Sequence, residues 1–116
     1  MSSDTEAARV VDRQIDAFNR QALDDFMACY APHATVLTDG EVVASGADAL
    51  RALYGRQFSE VPLTATVLSR SSQAEWIVDR ERVEGGAGIP AMSVLALYRV
   101  RDGLIDQVQF VGREAQ

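Results

Sequence analysis

Residues 91–111 read AMSVLALYRVRDGLIDQVQFV, and this stretch carries the strongest structural signal in the chain. Two runs rich in β-branched, aliphatic and aromatic residues flank the Asp-Gly pair at 102–103, and Asp-Gly between such runs is the strongest short signal for a β-hairpin. In the first run both alternating sets of side chains are mostly apolar, which predicts a strand covered on both faces. In the second run, residues 107–110 (QVQF) alternate amide and apolar side chains. We therefore expect a ligand pocket on one face of this hairpin and a dimer interface on the other.

Composition and charge bound the class of protein. A chain of 116 residues predicts a single domain, residues 1–116, with a core that needs no disulfide or metal. The net charge of −6 and the lack of a basic cluster argue against a nucleic-acid partner or a membrane surface. All eleven basic residues are arginine, so a lysine Schiff base and a P-loop are excluded. Without a signal-peptide core or a transmembrane run, we expect a cytoplasmic protein.

The chain has one histidine, His33, and one cysteine, Cys29. Together they cannot form a His/Cys zinc site, and a single cysteine cannot form an internal disulfide. Cys29 lies in an apolar segment, which predicts a buried small hydrophobic residue. His33 follows Pro32 at a predicted helix-to-strand junction and is expected to be an exposed loop residue. We expect no metal and no organic cofactor.

The predicted elements are three helices with a small strand pair inserted, followed by a strand-rich remainder. Ser3 with Glu6, and Ser45 with Asp48, have the spacing of capping boxes that open the first and third helices. The second helix is predicted at residues 22–30, ended by a proline. The strands are predicted at residues 33–39, 41–44, 63–70 and 75–84 and in the hairpin. This order predicts an α+β cone in which helices fill the concave side of a bent, mostly antiparallel sheet.

Five segments spread over nearly the whole chain share the pattern of one known family. They are residues 16–19 (DAFN), 23–26 (LDDF), 30–36 (YAPHATV), 45–46 (SG) and 98–105 (YRVRDGLI). In these segments the chain resembles the NTF2-like superfamily and, within it, the ketosteroid isomerase and SnoaL-like group. The resemblance implies an NTF2-like cone with three N-terminal helices. It does not imply one reaction, because the group includes isomerases, cyclases, dehydratases, epoxide hydrolases and noncatalytic binders.

The resemblance to ketosteroid isomerases also implies where catalytic residues would lie. Those enzymes use a carboxylate base at the end of the first strand, and an oxyanion hole made by a tyrosine and a protonated aspartic acid. In this sequence the three positions hold Thr38, Gln14 and Ala96, respectively. Threonine is not a general base near neutral pH, and alanine donates no hydrogen bond. Ketosteroid isomerisation itself is therefore not expected.

Other polar residues near these positions form the predicted catalytic set. Asp39 follows Thr38 and becomes the candidate base if a local bulge turns it inward. Tyr30 and Tyr54 fall where some isomerases place supporting tyrosines. Gln14 lies within the apolar stripe of the first helix, either as a pocket amide or as a boundary residue. The predicted catalytic residues are therefore Asp39 as base, with Tyr54, Tyr30 and Gln14 as polarising donors.

Residues 76–84 (WIVDRERVE) alternate in a way that leaves open which set of side chains faces the cone. One alternative points the arginines inward, beside the two amides of the final strand, and favours an anionic or carbonyl-bearing ligand. The ligand-binding residues predicted on this alternative are Trp76, Arg80, Arg82, Tyr98, Gln107 and Gln109. The opposite alternative puts Asp79 and Glu81 inside as a carboxylate pair. A third is that these charges pair across strands near a sheet edge.

The expected function is a small-molecule pocket of SnoaL or isomerase type. It would act by cofactor-independent acid–base chemistry, as an isomerase, cyclase or dehydratase, on a small hydrophobic carbonyl compound. The alternative is a noncatalytic ligand-binding or dimerisation module. A carboxylate deep in the cavity with a shifted pKa would favour the enzyme. A homodimer is expected through the outer sheet face, with the interface formed by Leu95, Leu97, Val108 and Phe110.

Overall fold

In the computed structural model, which describes residues 5–86 and 88–115, three helices and six strands follow the predicted order. The helices are α1 (Glu6–Arg20), α2 (Leu23–Met27) and α3 (Ala47–Glu60). The strands are β1 (Tyr30–Thr38), β2 (Glu41–Ser45), β3 (Thr64–Gln73), β4 (Trp76–Glu84), β5 (Met92–Arg101) and β6 (Leu104–Ala115). No helix within the described ranges is long and apolar enough to cross a membrane.

The six strands form one sheet in the order β2-β1-β6-β5-β4-β3. β1 and β6 run parallel, and every other neighbouring pair is antiparallel. Buried side chains of the three helices and of the inner sheet face form one hydrophobic core. The predicted α+β cone, with helices in the concave face of a curved sheet, is confirmed.

Two hairpin turns use the Asp-Gly chemistry visible in the sequence. Asp102 and Gly103, between β5 and β6, have φ angles of 52° and 76°. Asp39 and Gly40, between β1 and β2, have φ angles of 50° and 85°. Positive φ at both central residues is what a two-residue type I′ hairpin loop requires, and aspartate and glycine tolerate it best. The hairpin predicted at 102–103 is therefore confirmed.

Helix boundaries differ from the predicted ones for local reasons. The N-cap of α1 is Thr5, whose side-chain oxygen accepts a hydrogen bond from the backbone N–H of Ala8 at 3.1 Å. The predicted cap, Ser3, lies outside the described residues. The predicted cap of α3 is wrong, because Ser45 is the last residue of β2 and Gly46 occupies the N-cap without a side-chain hydrogen bond.

The second helix ends earlier than predicted. Tyr30 is the first residue of β1 and lies opposite Ile105 of β6, so sheet pairing overrides the helical pattern after Met27. His33 is exposed as predicted, although it lies in β1 rather than in a loop. Cys29 is buried, as expected for a small apolar residue.

The register of β4, β5 and β6 decides which side chains face the helices. Residues directly opposite each other on neighbouring strands share a face. Val94 and Ala96, both buried, lie opposite Glu81 and Asp79 on one side. On the other side Ala96 lies opposite Phe110, so the apolar face of β6 points inward. The dimer surface predicted from sequence therefore needs correction, because the side chains of Val108 and Phe110 lie on the inner face.

Candidate functional site

The helices and the inner sheet face enclose a mostly apolar cavity of about 190 Å³. Its apolar lining consists of Ile15, Phe18, Phe26, Leu63, Ala65, Val83, Met92, Val94 and Phe110. Its polar lining consists of Gln14, Tyr30, Thr38, Tyr54, Gln57, Glu81, Tyr98 and Arg113. A concave apolar site with a few convergent polar groups is the usual make-up of a small-molecule site.

Glu81 places a carboxylate in this cavity. The residue is only 3% exposed, because the inward parity of β4 points its side chain toward the helices. The hydroxyl of Tyr98 donates a hydrogen bond of 2.8 Å to Oε2 of Glu81. The pKa of Glu81 is raised to about 7, mainly by burial; the hydrogen bond from Tyr98 lowers it, the nearby charge of Asp79 raises it and the charge of Arg70 lowers it. Near neutral pH this group can therefore both accept and donate a proton.

Asp79 lies two residues away on the same face, yet its environment is different. It is fully buried and receives two hydrogen bonds from Arg70 of β3, at 2.7 Å to Oδ1 and 2.9 Å to Oδ2. Arg70 also forms an ion pair of 2.8 Å with Asp12 of α1. A bidentate guanidinium fixes both oxygens of Asp79 and neutralises its charge. Asp79 is therefore held in an ion-pair network outside the cavity lining, whereas Glu81 lines the cavity.

Three tyrosines supply hydroxyl groups to the same space. Tyr30 donates a hydrogen bond of 3.3 Å to Oε1 of Gln14, and the ring of Tyr54 packs 4.5 Å from that of Phe26. Burial raises the pKa of Tyr30, Tyr54 and Tyr98 well above the ordinary tyrosine value. These hydroxyls therefore stay protonated around neutral pH. Because Tyr30 and Tyr98 already give their single hydrogen to Gln14 and Glu81, Tyr54 is the one of the three left to donate to a ligand oxygen.

Two further polar groups line the cavity. The side-chain nitrogen of Gln57 on α3 is buried and has no hydrogen-bond partner among the described residues. Arg113 of β6 also lines the cavity, and its guanidinium lies 3.6 Å from Oδ2 of Asp39. An unpartnered buried donor is rare in folded proteins and calls for an acceptor.

The structure brings together four of the residues predicted from sequence. Gln14, Tyr30, Tyr54 and Tyr98 all line the cavity. Asp39, the predicted base, does not line it. No bulge turns its side chain inward, because Asp39 is the first residue of the tight turn between β1 and β2 and its side chain is 62% exposed. The predicted placement of Asp39 therefore needs correction.

The other predicted ligand-binding residues lie on the outer face of the sheet. Trp76 packs there with the guanidinium of Arg99 at 5.7 Å from its ring centre. Arg80 is exposed, and Arg82 pairs with Glu84 at 2.9 Å. The remaining two, Gln107 and Gln109, are half-buried and hydrogen-bonded to each other. The register of β4 overturns the alternative that pointed the arginines inward, and it favours the one that placed Asp79 and Glu81 inside.

Among the polar residues that line the cavity, the sequence analysis did not name Gln57 and Arg113. Gln57 lies three residues after Tyr54, which is the helical spacing that puts both on one face of α3. That signal was available in the sequence. Arg113 had no such signal, since a β-bulge beside Gly112 changes the side on which it lies.

Comparison with known proteins gives the family. The sequence model of the SnoaL-like domain family matches residues 11–108. No curated protein matches the sequence significantly.

Solved structures share the fold at low sequence identity. An uncharacterised cystatin-fold protein from Novosphingobium aromaticivorans has a TM-score of 0.82 at 21% identity, covering 91% of this chain and 97% of that one. An LEH-like epoxide hydrolase from M. tuberculosis has a TM-score of 0.82 at 17% identity, covering 91% and 81%. A computationally designed 17-OHP binder has a TM-score of 0.83 at 15% identity, covering 98% of both chains.

At such identities these likenesses show the fold and not the reaction. The family match extends over most of the chain and agrees with the observed cone. The chain therefore belongs to the SnoaL-like family of the NTF2-like superfamily.

Proposed function

We propose that this protein is a cofactor-independent acid–base enzyme that acts on a small hydrophobic carbonyl compound, with Glu81 as the proton-transferring residue. The observation that supports the proposal is a buried carboxylate with a pKa of about 7 in a mostly apolar cavity. A pKa near the working pH is what proton transfer requires. This is the feature expected of an enzyme rather than of a passive pocket.

The reaction that fits these groups begins with removal of a proton from the carbon next to the carbonyl. Glu81 accepts this proton, and the electron pair of the broken C–H bond forms a C=C bond as the carbonyl oxygen becomes an enolate oxygen. The hydroxyl of Tyr54 and the amide NH2 groups of Gln14 and Gln57 are the donors available to that oxygen, because Tyr30 already gives its hydrogen to Oε1 of Gln14. In a β,γ-unsaturated substrate Glu81 then returns the proton to the γ-carbon of the dienolate, the C=O bond re-forms and the C=C bond moves into conjugation with it, which completes an isomerisation.

The roles of the cavity groups follow from their partners. The hydroxyl of Tyr98 binds Oε2 of Glu81, which leaves Oε1 to take the substrate proton. The cavity of about 190 Å³ is below the roughly 300–1,000 Å³ of pockets for drug-sized ligands, which favours a compact substrate.

The test is the exchange of carbon-bound hydrogen for deuterium. Small ketones such as cyclohexanone and 2-tetralone are incubated with the protein in D2O, and the loss of the α-proton signal is followed by NMR. We expect the wild type to accelerate exchange, with a rate that rises as pH increases through about 7, because the carboxylate form of Glu81 is the base. Glu81→Gln is expected to lower the rate by about 10²–10⁴-fold.

Asp39→Asn is the matched control, since it also neutralises a carboxylate but one that lies in an exposed turn. It is expected to keep the wild-type exchange rate. Full exchange activity in Glu81→Gln would refute the assignment of the base.

The second candidate function is ligand binding without turnover. The fold supports it, because the designed 17-OHP binder has the same architecture. Saturable binding of ketones with no exchange above the solvent rate in the wild type would favour this function.

We also propose that the protein forms a homodimer through the outer face of the sheet. Apolar side chains share that face along β1, β4, β5 and β6, and Leu95 is 39% exposed. The apolar members of this outer-face patch are Leu37, Val78, Leu95, Leu97 and Val111. Within it Leu95 lies opposite Val111 and Leu97 lies opposite Val78, and exposed apolar side chains grouped on one face are typical of a protein interface.

A further inference from the structure

A β-bulge in β6 places Arg113 at the solvent-exposed edge of the cavity. Ser93 lies opposite Glu114 and Leu95 lies opposite Val111, so two residues of β6, Gly112 and Arg113, stand against a single residue of β5. The left-handed φ of 68° at Gly112 accommodates the extra residue. Val111 belongs to the outer face, and regular alternation would put Arg113 there too. The bulge instead adds Arg113 to the cavity lining.

Arg113 is the only basic residue among the described residues that line the cavity. Its ion pair with Asp39 is long, at 3.6 Å, and the two side chains are 51% and 62% exposed. An exposed pair of this geometry contributes little to stability, because both charges remain hydrated. A carboxylate from a ligand can therefore replace Asp39 at low cost, and its two oxygens match the planar guanidinium.

Gln57 provides a second, independent observation in the same cavity. Its buried side-chain nitrogen has two hydrogens to donate and no acceptor among the described residues. A buried donor without a partner costs about 1–3 kcal/mol of stability. A ligand oxygen in the cavity would satisfy it.

We infer that the substrate carries a carboxylate that binds Arg113, and a second, uncharged oxygen that accepts a hydrogen bond from Gln57, with its apolar body in the cavity. The substrate class is thus a compact hydrophobic keto acid rather than a neutral ketone. This inference rests on the proposed function of the cavity and adds the recognition of the anionic end.

The test compares two probes that share the aryl ketone and differ in charge and by one methyl group, 4-oxo-4-phenylbutanoate and its methyl ester, by isothermal titration calorimetry. The wild type is expected to bind the acid about tenfold more tightly than the ester, because only the acid pairs with Arg113. Arg113→Gln should remove that preference and leave the affinity for the ester unchanged. Asp39→Asn should raise the affinity for the acid, since it removes the competing carboxylate.

Arg82→Gln is the matched control, because Arg82 is an exposed arginine on the outer face, paired with Glu84. It should change neither affinity. Gln57→Met should weaken the binding of both probes without destabilising the free protein, because it removes an unpartnered donor.

Equal affinity of the wild type for acid and ester would overturn the inference, as would an Arg113→Gln variant that weakens both probes alike. In either case, binding of the ester would still show that the cavity accepts a ketone, so the proposed function would not be affected. Binding of neither probe would also overturn the inference, while proton exchange on neutral ketones still decides the reaction.

Discussion

At the scale of single residues, two carboxylates on one strand have been given different environments. Asp79 receives both hydrogen bonds of a guanidinium, and Glu81 receives one from a phenol. A guanidinium stabilises a negative charge far more than a neutral hydroxyl does. At Glu81 the effect of burial outweighs the hydrogen bond from Tyr98, and its pKa rises to about 7. Two carboxylates on the same inner face thus have partners of different charge.

Replacing Tyr98 by phenylalanine tests this account. The hydroxyl of Tyr98 stabilises the charged form of Glu81, so its removal should raise the pKa of Glu81 above about 7. The pH at which α-proton exchange begins should move upward with it. The measurement is an NMR titration of the protein with 13C-labelled glutamate.

Tyr30→Phe serves as the comparison, since it removes a buried hydroxyl that bonds to Gln14 instead. Its effect on the Glu81 titration should be small. A pKa that stays constant or falls in Tyr98→Phe would contradict the assigned role of the hydroxyl.

Single site residues can be predicted from sequence where they lie in a regular helix or strand, and not where the strand is irregular. Gln14 is predictable because helical spacing marks one face of α1, whereas Tyr30 and Tyr54 are predictable from the resemblance to isomerases. Asp39 was misplaced although Asp39-Gly40 is the same turn signal that was read correctly at 102–103. Arg113 was beyond prediction, because a single extra residue in a strand reverses the side of every residue after it.

At the scale of elements, an ion-pair network ties α1 to the sheet. Arg70 of β3 binds Asp79 of β4 through two hydrogen bonds and Asp12 of α1 through a third contact. Asp79 is fully buried, whereas the side chain of Asp12 is 62% exposed. The buried charge of Asp79 therefore depends on Arg70 for compensation, whereas the charge of Asp12 is compensated by water as well.

Arg70→Met should destabilise the protein by about 3–5 kcal/mol, because it leaves a buried charge without a partner. Asp12→Asn should cost less than about 1 kcal/mol, since its pair is exposed to water. Urea unfolding monitored by circular dichroism measures both.

The double variant Arg70→Met with Asp79→Leu should recover much of the lost stability, because no buried charge remains. A double variant as unstable as Arg70→Met alone would show that the loss came from packing and not from the orphaned carboxylate.

Element boundaries were the least predictable part of the fold. Tyr30 continues the apolar spacing of the second helix, so the sequence alone favours a longer helix. Tyr30 adopts the strand conformation because it pairs with Ile105 of β6, a residue distant in sequence. Local patterns cannot contain such information.

At the scale of the whole molecule, the outer-face patch leads to a prediction about assembly. Leu95→Glu places a charge in the centre of that patch and should convert a dimer into a monomer. Light scattering after size-exclusion chromatography at micromolar concentration measures the change.

Leu53→Glu is the control, because Leu53 is 37% exposed on α3, in the opposite layer of the molecule. It should leave the dimer intact. A wild-type protein that is monomeric under these conditions would remove the proposed interface.

The overall architecture was the most predictable feature, because it depends on many weak signals that agree. The hairpin at 102–103, the helical stripe of α1 and the strand-rich second half all indicate the same α+β arrangement. No single misplaced cap or boundary changes that result.

The parallel pairing of β1 with β6 has a consequence for how the chain reaches its native state. Thr35, Val36 and Leu37 find their neighbours in the last strand of the domain, more than half the chain away. Such distant contacts slow folding, since a long loop must close before any of them forms. During synthesis the helices and β1 leave the ribosome before β6 does. Their apolar faces therefore stay exposed to water until β6 has emerged. We expect the nascent chain to depend on chaperones during this interval. We also expect folding to be one cooperative step that requires all six strands.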